Sequence, residues 1–119
     1  MATQNDIGFR TFTTAAALSA HRRVLLNSSG QINVASNDAT AIGFIQHDAA
    51  SSDPATVKVG TGPGTFLAVA NTAITRGDAV YPAASGKVSG TVVSGVVLGF
   101  AFEASTADLD VIEIVPPNK

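Results

Sequence analysis

The chain has no cysteine, no tryptophan and a single tyrosine, and only 13% of its 119 residues are charged. Without cysteine there is no disulfide framework and no thiolate metal site. With aromatics at 6%, the exposed ring platform of a carbohydrate-binding module is not expected. Seven Lys and Arg stand against nine Asp and Glu, for a net charge of −2. Nucleic-acid binders usually carry a basic patch, and Arg22-Arg23 alone does not make one, so no nucleic-acid partner is expected. No run of about 20 apolar residues is present, so no membrane-spanning helix and no membrane partner are expected. Met1 to Asp6 lacks the basic and apolar regions of a secretory leader, so export by that route is not expected.

What the chain does have is a period. Ile42-Gly43-Phe44 recurs as Leu98-Gly99-Phe100, and Ser29-Gly30-Gln31-Ile32 recurs as Ser85-Gly86-Lys87-Val88, both at a step of 56 residues. The same step carries Val24-Leu25 onto Val80-Tyr81. With one residue dropped from the loop, Val57-Lys58-Val59 is expected to fall on Ile112-Glu113-Ile114 at a step of 55. A fixed period kept over separated blocks indicates a duplicated unit. Two copies are too few for a solenoid, and a unit of this size alone buries only about 60% of its unfolded surface. The copies are therefore expected to interlock within one domain.

Short alternating segments set the secondary structure. Val24 and Leu26, then Ile32 and Val34, flank Asn27-Ser28-Ser29-Gly30 with period 2, a hairpin signal in which Gly30 supplies a positive φ. Gly86 takes that role in the second copy. Gly43 and Gly99, each inside an apolar strand, imply a close backbone approach. Ala15-Ala16-Ala17-Leu18 favours helix by propensity, but its counterpart Ala70 to Gly77 reads as a loop, so an extended connection is expected. Strands are also expected at 41–46, 55–59, 65–69, 79–81, 87–89, 91–97 and 111–115. About ten short strands at hairpin spacing predict an all-β sandwich or barrel. The organisation expected is one domain: a flexible arm (1–9), a first β repeat (10–59), a Gly/Pro linker (60–64), a second β repeat (65–115) and a tail (116–119).

Chemistry is sparse. Gly60-Thr61-Gly62-Pro63-Gly64 lacks the lysine and the following helix of a phosphate loop. His47-Asp48 are sequence neighbours, whose side chains point apart on a strand, and no Gly-x-Ser-x-Gly elbow seats a nucleophile. Glu103, Asp108 and Asp110 could supply oxygens to a hard cation, but solvating a loop accounts for them. Asn27-Ser28-Ser29 fits a glycosylation acceptor, which carries no weight without an export signal. No catalytic residue, cofactor or metal is therefore expected. So low a charge density suits burial against other subunits. Arg22 and Arg23 are candidate interface charges, with solvated flanking charge as the alternative.

Phe9-Arg10-Thr11-Phe12-Thr13 running into Ala15-Ala16-Ala17-Leu18, with Ser29-Gly30-Gln31-Ile32, the Ile42-Gly43-Phe44 strand, Leu98 to Ala104 and Asp110 to Ile114, resembles the small cement, or decoration, proteins of tailed-phage capsids. The resemblance covers nearly the full length. It departs at Arg22-Arg23, where Gly or Asp is usual, and in a longer, more polar arm. It implies an all-β virion protein without enzymatic activity, commonly a homotrimer, made in the host cytoplasm. Such a protein binds the capsid's outer surface and bridges subunits of the major capsid protein. Ile7, Phe9, Arg10 and Phe12 are the candidate capsid-binding residues. An extended arm with Ile7 and Phe9 on one side could add a strand to a partner's sheet, mobile when free because it has few apolar residues to offset ordering. The alternative function is a tail-tube or head–tail joining protein, and after it a carbohydrate-binding module, which the lack of Trp and the single Tyr disfavour.

Overall fold

The computed structural model describes residues 8–36, 41–59, 64–91 and 97–116. Among them are ten strands, one 3₁₀ turn and no α-helix. The first unit contains β1 (Phe9–Thr14), β2 (Arg23–Leu26), β3 (Gln31–Val34), β4 (Gly43–Ile45) and β5 (Pro54–Val59). They close into a barrel in the order β1-β3-β2-β4-β5. Closure comes from β1, which pairs antiparallel with β5 from Phe9↔Lys58 to Thr13↔Pro54 and parallel with β3 at Thr13↔Gln31 and Thr14↔Ile32. The second unit contains β6 (Phe66–Val69), β7 (Ala79–Pro82), β8 (Val88–Ser89), β9 (Gly99–Ala101) and β10 (Val111–Val115), with a 3₁₀ turn at Ala84–Gly86. Its order is β6-β10-β9-β7-β8. Its two ends meet at a single parallel bridge, Ala70↔Val88, which stands 56 residues on from Thr14↔Ile32.

The same step runs through the loops. Leu18 and Ala49 exchange two backbone hydrogen bonds at 2.8 and 2.9 Å, and Ile74 and Ser105 do the same at 3.1 and 2.9 Å. The His21 N–H donates to the Ile45 carbonyl at 2.7 Å, and the Gly77 N–H donates to that of Ala101 at 2.8 Å. Left-handed backbone recurs at His21 (φ 63°) and Gly77 (φ 89°), and at Gly30 (φ 78°) and Gly86 (φ 72°). The expected step of 55 at the last strand is corrected to 57. The Thr14 N–H donates to the Asp53 carbonyl and the Ala70 N–H to that of Asp110, so Val57 corresponds to Ile114 rather than Ile112. The loop of the second unit gains a residue, Thr106, where a loss was expected. An even slip of two leaves every side chain on its own face of the sheet, which is why the apolar pattern concealed it.

Other elements follow from tertiary context. Residues 15–18 are not helical, because Leu18 is buried in the first core and bridges Ala49. Thr91 is a bend rather than a strand residue, and 92–96 lie outside the described residues, as do 60–63 of the expected linker. Pro82 closes β7 and Pro54 opens β5, at strand ends where a missing N–H costs least. Gly43 and Gly99 occupy matching places. A Cβ there would stand 2.1 Å from the Lys58 carbonyl oxygen and 2.4 Å from that of Val115, which only glycine avoids.

Each unit has its own core. Leu18, Val24, Ile32, Ile45, Ala55 and Val57 fill the first, with Phe12 packed against them. The second gathers Phe66, Ala68, Ile74, Val80, Ile112 and Ile114, and it also takes in Phe44 from the first unit. The Phe44 and Phe66 rings lie 5.2 Å apart at 37°, and such a pair contributes about 0.5–1.5 kcal/mol beyond area burial. Lys58 Nζ stands 4.7 Å from the Phe66 ring centre.

Candidate functional site

The charged candidates resolve first. Arg23 is buried and used inside the chain, whereas Arg22 is half-buried with one bond inside the chain. Arg23 is 1% exposed. Its Nη2 donates to the carbonyls of Ser36 at 2.8 Å and Ala83 at 2.9 Å, and its Nε donates to that of Lys87 at 3.2 Å. Arg22 Nη1 donates to the Ser85 carbonyl at 2.8 Å. Together the two arginines tie β2 to the 3₁₀ turn of the second unit. Burial holds the Arg23 pKa below its usual value, yet guanidinium stays charged in proteins. A fork of donors spread over three carbonyls is a task that suits arginine and not lysine.

The remaining candidates are also committed. His47 Nε2 accepts from the Thr56 N–H at 3.1 Å, so its Nδ1, 2.9 Å from the Asp48 carbonyl, carries the proton. Asp48 Oδ1 accepts from the Ala20 N–H. The pair is therefore not a base with its orienter. Asp108 pairs with Lys87 at 2.8 Å, and Glu103 Oε1 accepts from the Glu113 N–H. Asp110 Oδ2 accepts from the N–H groups of Thr106 and Ala107 and from the Thr106 hydroxyl. Those bonds, the Thr106 N–H first, hold its carboxyl below the usual range. Among the described residues no three His, Cys, Asp or Glu side chains converge to hold a metal.

β1 begins at Phe9, within the segment expected to be an arm. Phe9, Arg10 and Phe12 lie in β1, paired along β5, rather than on a mobile strand. Five backbone pairs and the packing of Phe12 on the first core supply what the isolated arm lacks. Ile7 lies outside the described residues. Phe9 is 40% exposed and Arg10 is exposed, so both side chains still present a surface. Gly30, with nothing within 4 Å of a Cβ position, marks an open turn; at Gly86 that Cβ would stand 2.8 Å from both the Arg23 carbonyl oxygen and Val34.

The surface that sequence reasoning missed is the outer face of the second unit. Leu67, Val111 and Phe100 are 43%, 47% and 44% exposed, and Phe102 reaches 57%. The register places Glu113 opposite Leu67, Val111 opposite Val69, and Val115 opposite Phe100. That wall of the sheet exposes Leu67, Val111 and Phe100, while Val69 is buried and Glu113 interrupts the apolar surface. Phe100, Phe102, Val115, Arg76, Gly77 and Ala101 line an open groove of about 380 Å³ there. The matching positions of the first unit, Thr11, Thr13 and Lys58 for Leu67, Val69 and Val115, are polar. The signal was available: Thr→Leu, Thr→Val and Lys→Val changes between copies mark a face with a different environment. Contiguous exposed apolar surface on a soluble domain marks an interaction site.

Fold and surface together define a two-unit all-β protein whose distinctive surface is apolar and suited to contact. The chain matches the phage cement protein family over residues 3–115 and belongs to that family. It is a capsid-associated structural protein of the virion. Its fold is similar to that of the head fiber gp8.5 N base of bacteriophage phi29, with a TM-score of 0.76, 17% identity and 92% of each chain covered. No curated protein matches the chain.

Proposed function

We propose that this protein binds the outer surface of a tailed-phage capsid as a homotrimer and stabilises it by bridging neighbouring subunits of the major capsid protein. The family match over residues 3–115 carries this reading. The protein works by occupying a surface and has no enzymatic role. Its two units act as one domain of two pseudo-repeats, locked by Phe44 and the two arginines, so that load applied to one unit passes to the other. The N-terminal segment through Ile7, with Phe9 at its base, takes part in the shell contact.

Bridging is tested by heating or osmotically shocking shells with and without the protein. Bound protein raises the temperature at which shells break; binding without any such rise shows decoration of single subunits and removes the bridging role. Deleting residues 2–7, which leaves β1 whole, is expected to weaken shell binding at least tenfold, about 1.4 kcal/mol. Unchanged binding moves the contact off the arm.

A further inference from the structure

We propose that Phe100 docks into the open end of the first barrel of a second copy of this chain, against Arg10 and Phe12, as Phe44 docks into the second unit within one chain. The inference rests on the oligomeric reading above and names its contact.

Phe44 provides the template. Its neighbour Ile45 points into the first core, while Phe44 leaves the barrel on the other side and becomes part of the second core. There it is 7% exposed and meets Phe66, which pairs across the ladder with Ile114 at the end of that core. The 56-residue step carries Phe44 onto Phe100 and Phe66 back onto Arg10. Phe100 leaves the second unit in the same way, beside Ala101 of that core, yet it is 44% exposed, uncovered by any of the described residues.

The receiving end is equally matched. Arg10 pairs across the ladder with Val57, a core residue, so it rims the first barrel as Phe66 rims the second. Phe12 stands where the second unit has the small Ala68, and it is only partly buried. The open end of the first barrel thus offers one aromatic ring and one cation. In the internal contact Phe44 meets Phe66 while Lys58, opposite Phe44 in the ladder, lies over the Phe66 ring. In the proposed contact Val115 replaces Lys58 and Arg10 replaces Phe66, so the cation changes sides and again faces a ring. The seal differs: Asp78 and Ala79 stand where Arg22 and Arg23 tie the internal contact. The contact between chains is therefore the weaker and reversible one.

Such a contact is head-to-tail, first unit of one copy to second unit of the next, and so closes into a ring or extends into a chain. Three copies in a ring give six β units joined alternately by the internal and the external contact.

Phe100→Asp breaks one side of the contact and Arg10→Asp the other. Both positions are exposed, so circular dichroism and melting should stay near wild type, and Phe100→Ser is the substitute if the aspartate disturbs folding. Light scattering on eluted protein is expected to give an oligomer for wild type and a monomer for each variant. A 1:1 mixture of the variants retains one intact contact per pair and is expected to give a dimer. Retention of the wild-type mass by Phe100→Asp or by Arg10→Asp overturns the proposal, and so does a mixture that stays monomeric. A Phe100→Asp protein with normal mass but lost shell binding assigns the patch to the shell instead and also overturns it. A monomeric wild type would remove the oligomeric reading itself, whereas an oligomer that Phe100→Asp leaves intact removes only this contact.

Discussion

The two β units share a backbone and differ in what they turn outward. In the first, Thr11, Thr13 and Lys58 lie outside, and the one large apolar group of β4 on that side, Phe44, is 7% exposed because the second unit covers it. In the second, Leu67, Val69 and Val115 take those places, and Phe100 is 44% exposed. Backbone bonds, left-handed residues and the glycines under the carbonyls match between the units, while side chains on the outer faces differ. The difference lies in packing: the first unit buries its outer aromatic in the core of the second, and the second leaves its own exposed.

The largest expected effect compares the two aromatics directly. Phe44→Ala removes a core ring and should cost about 3–5 kcal/mol of unfolding free energy. Phe100→Ala, measured on the monomer by urea denaturation, should cost about 0.5 kcal/mol or less, as surface changes do. Equal losses would mean that Phe100 is already packed and the comparison is wrong. Next, Arg23→Ala removes the donors to the Ser36, Ala83 and Lys87 carbonyls and should cost about 3 kcal/mol. Arg23→Lys should recover less than half of that, since an ammonium cannot span the three acceptors. A smaller effect of opposite sign comes from the left-handed positions. Leu109 holds φ 74° while 57% exposed. Leu109→Gly should therefore stabilise by about 0.5–1 kcal/mol, relieving a strain of about 1–2 kcal/mol against the entropy glycine adds to the unfolded chain. His21→Gly, copying Gly77, should also gain, because His21 Nδ1 is buried without a partner.

The smallest effect is in pH. The Asp110 carboxyl is held below its usual range by Thr106 and Ala107. A depressed folded pKa contributes stability that is complete above the unfolded value, about 3.9, and is lost as pH falls through the folded one. Asp110→Asn should therefore flatten the loss of stability below about pH 4. An unchanged acid limb would show that the Thr106 loop does not hold the charge.

Much of the fold was legible because period 2 and the 56-residue step are local or self-referential signals. Val24, Leu26, Ile32 and Val34 around a Ser-Gly turn marked a hairpin without any knowledge of its partners. The last strand lies where expected, but its match to the first copy was two residues off because an even slip preserves the inward set; the backbone bonds of Ala49 and Ser105, then of Asp53 and Asp110, reveal Thr106 as the extra residue. Arg22-Arg23 looked like surface charge because their acceptors, the carbonyls of Ala83, Ser85 and Lys87, lie some sixty residues away. Phe44 and Phe100 are equivalent in sequence, so no pattern within a copy separates the buried ring from the exposed one. That distinction arises only from how the second unit sits on the first.

The most direct test of the account is cosedimentation of the purified protein with shells assembled from the major capsid protein alone. Saturable binding at a fixed ratio to the shell subunit is the expected result. Failure to sediment with intact shells, even in large excess over shell subunits, would contradict it.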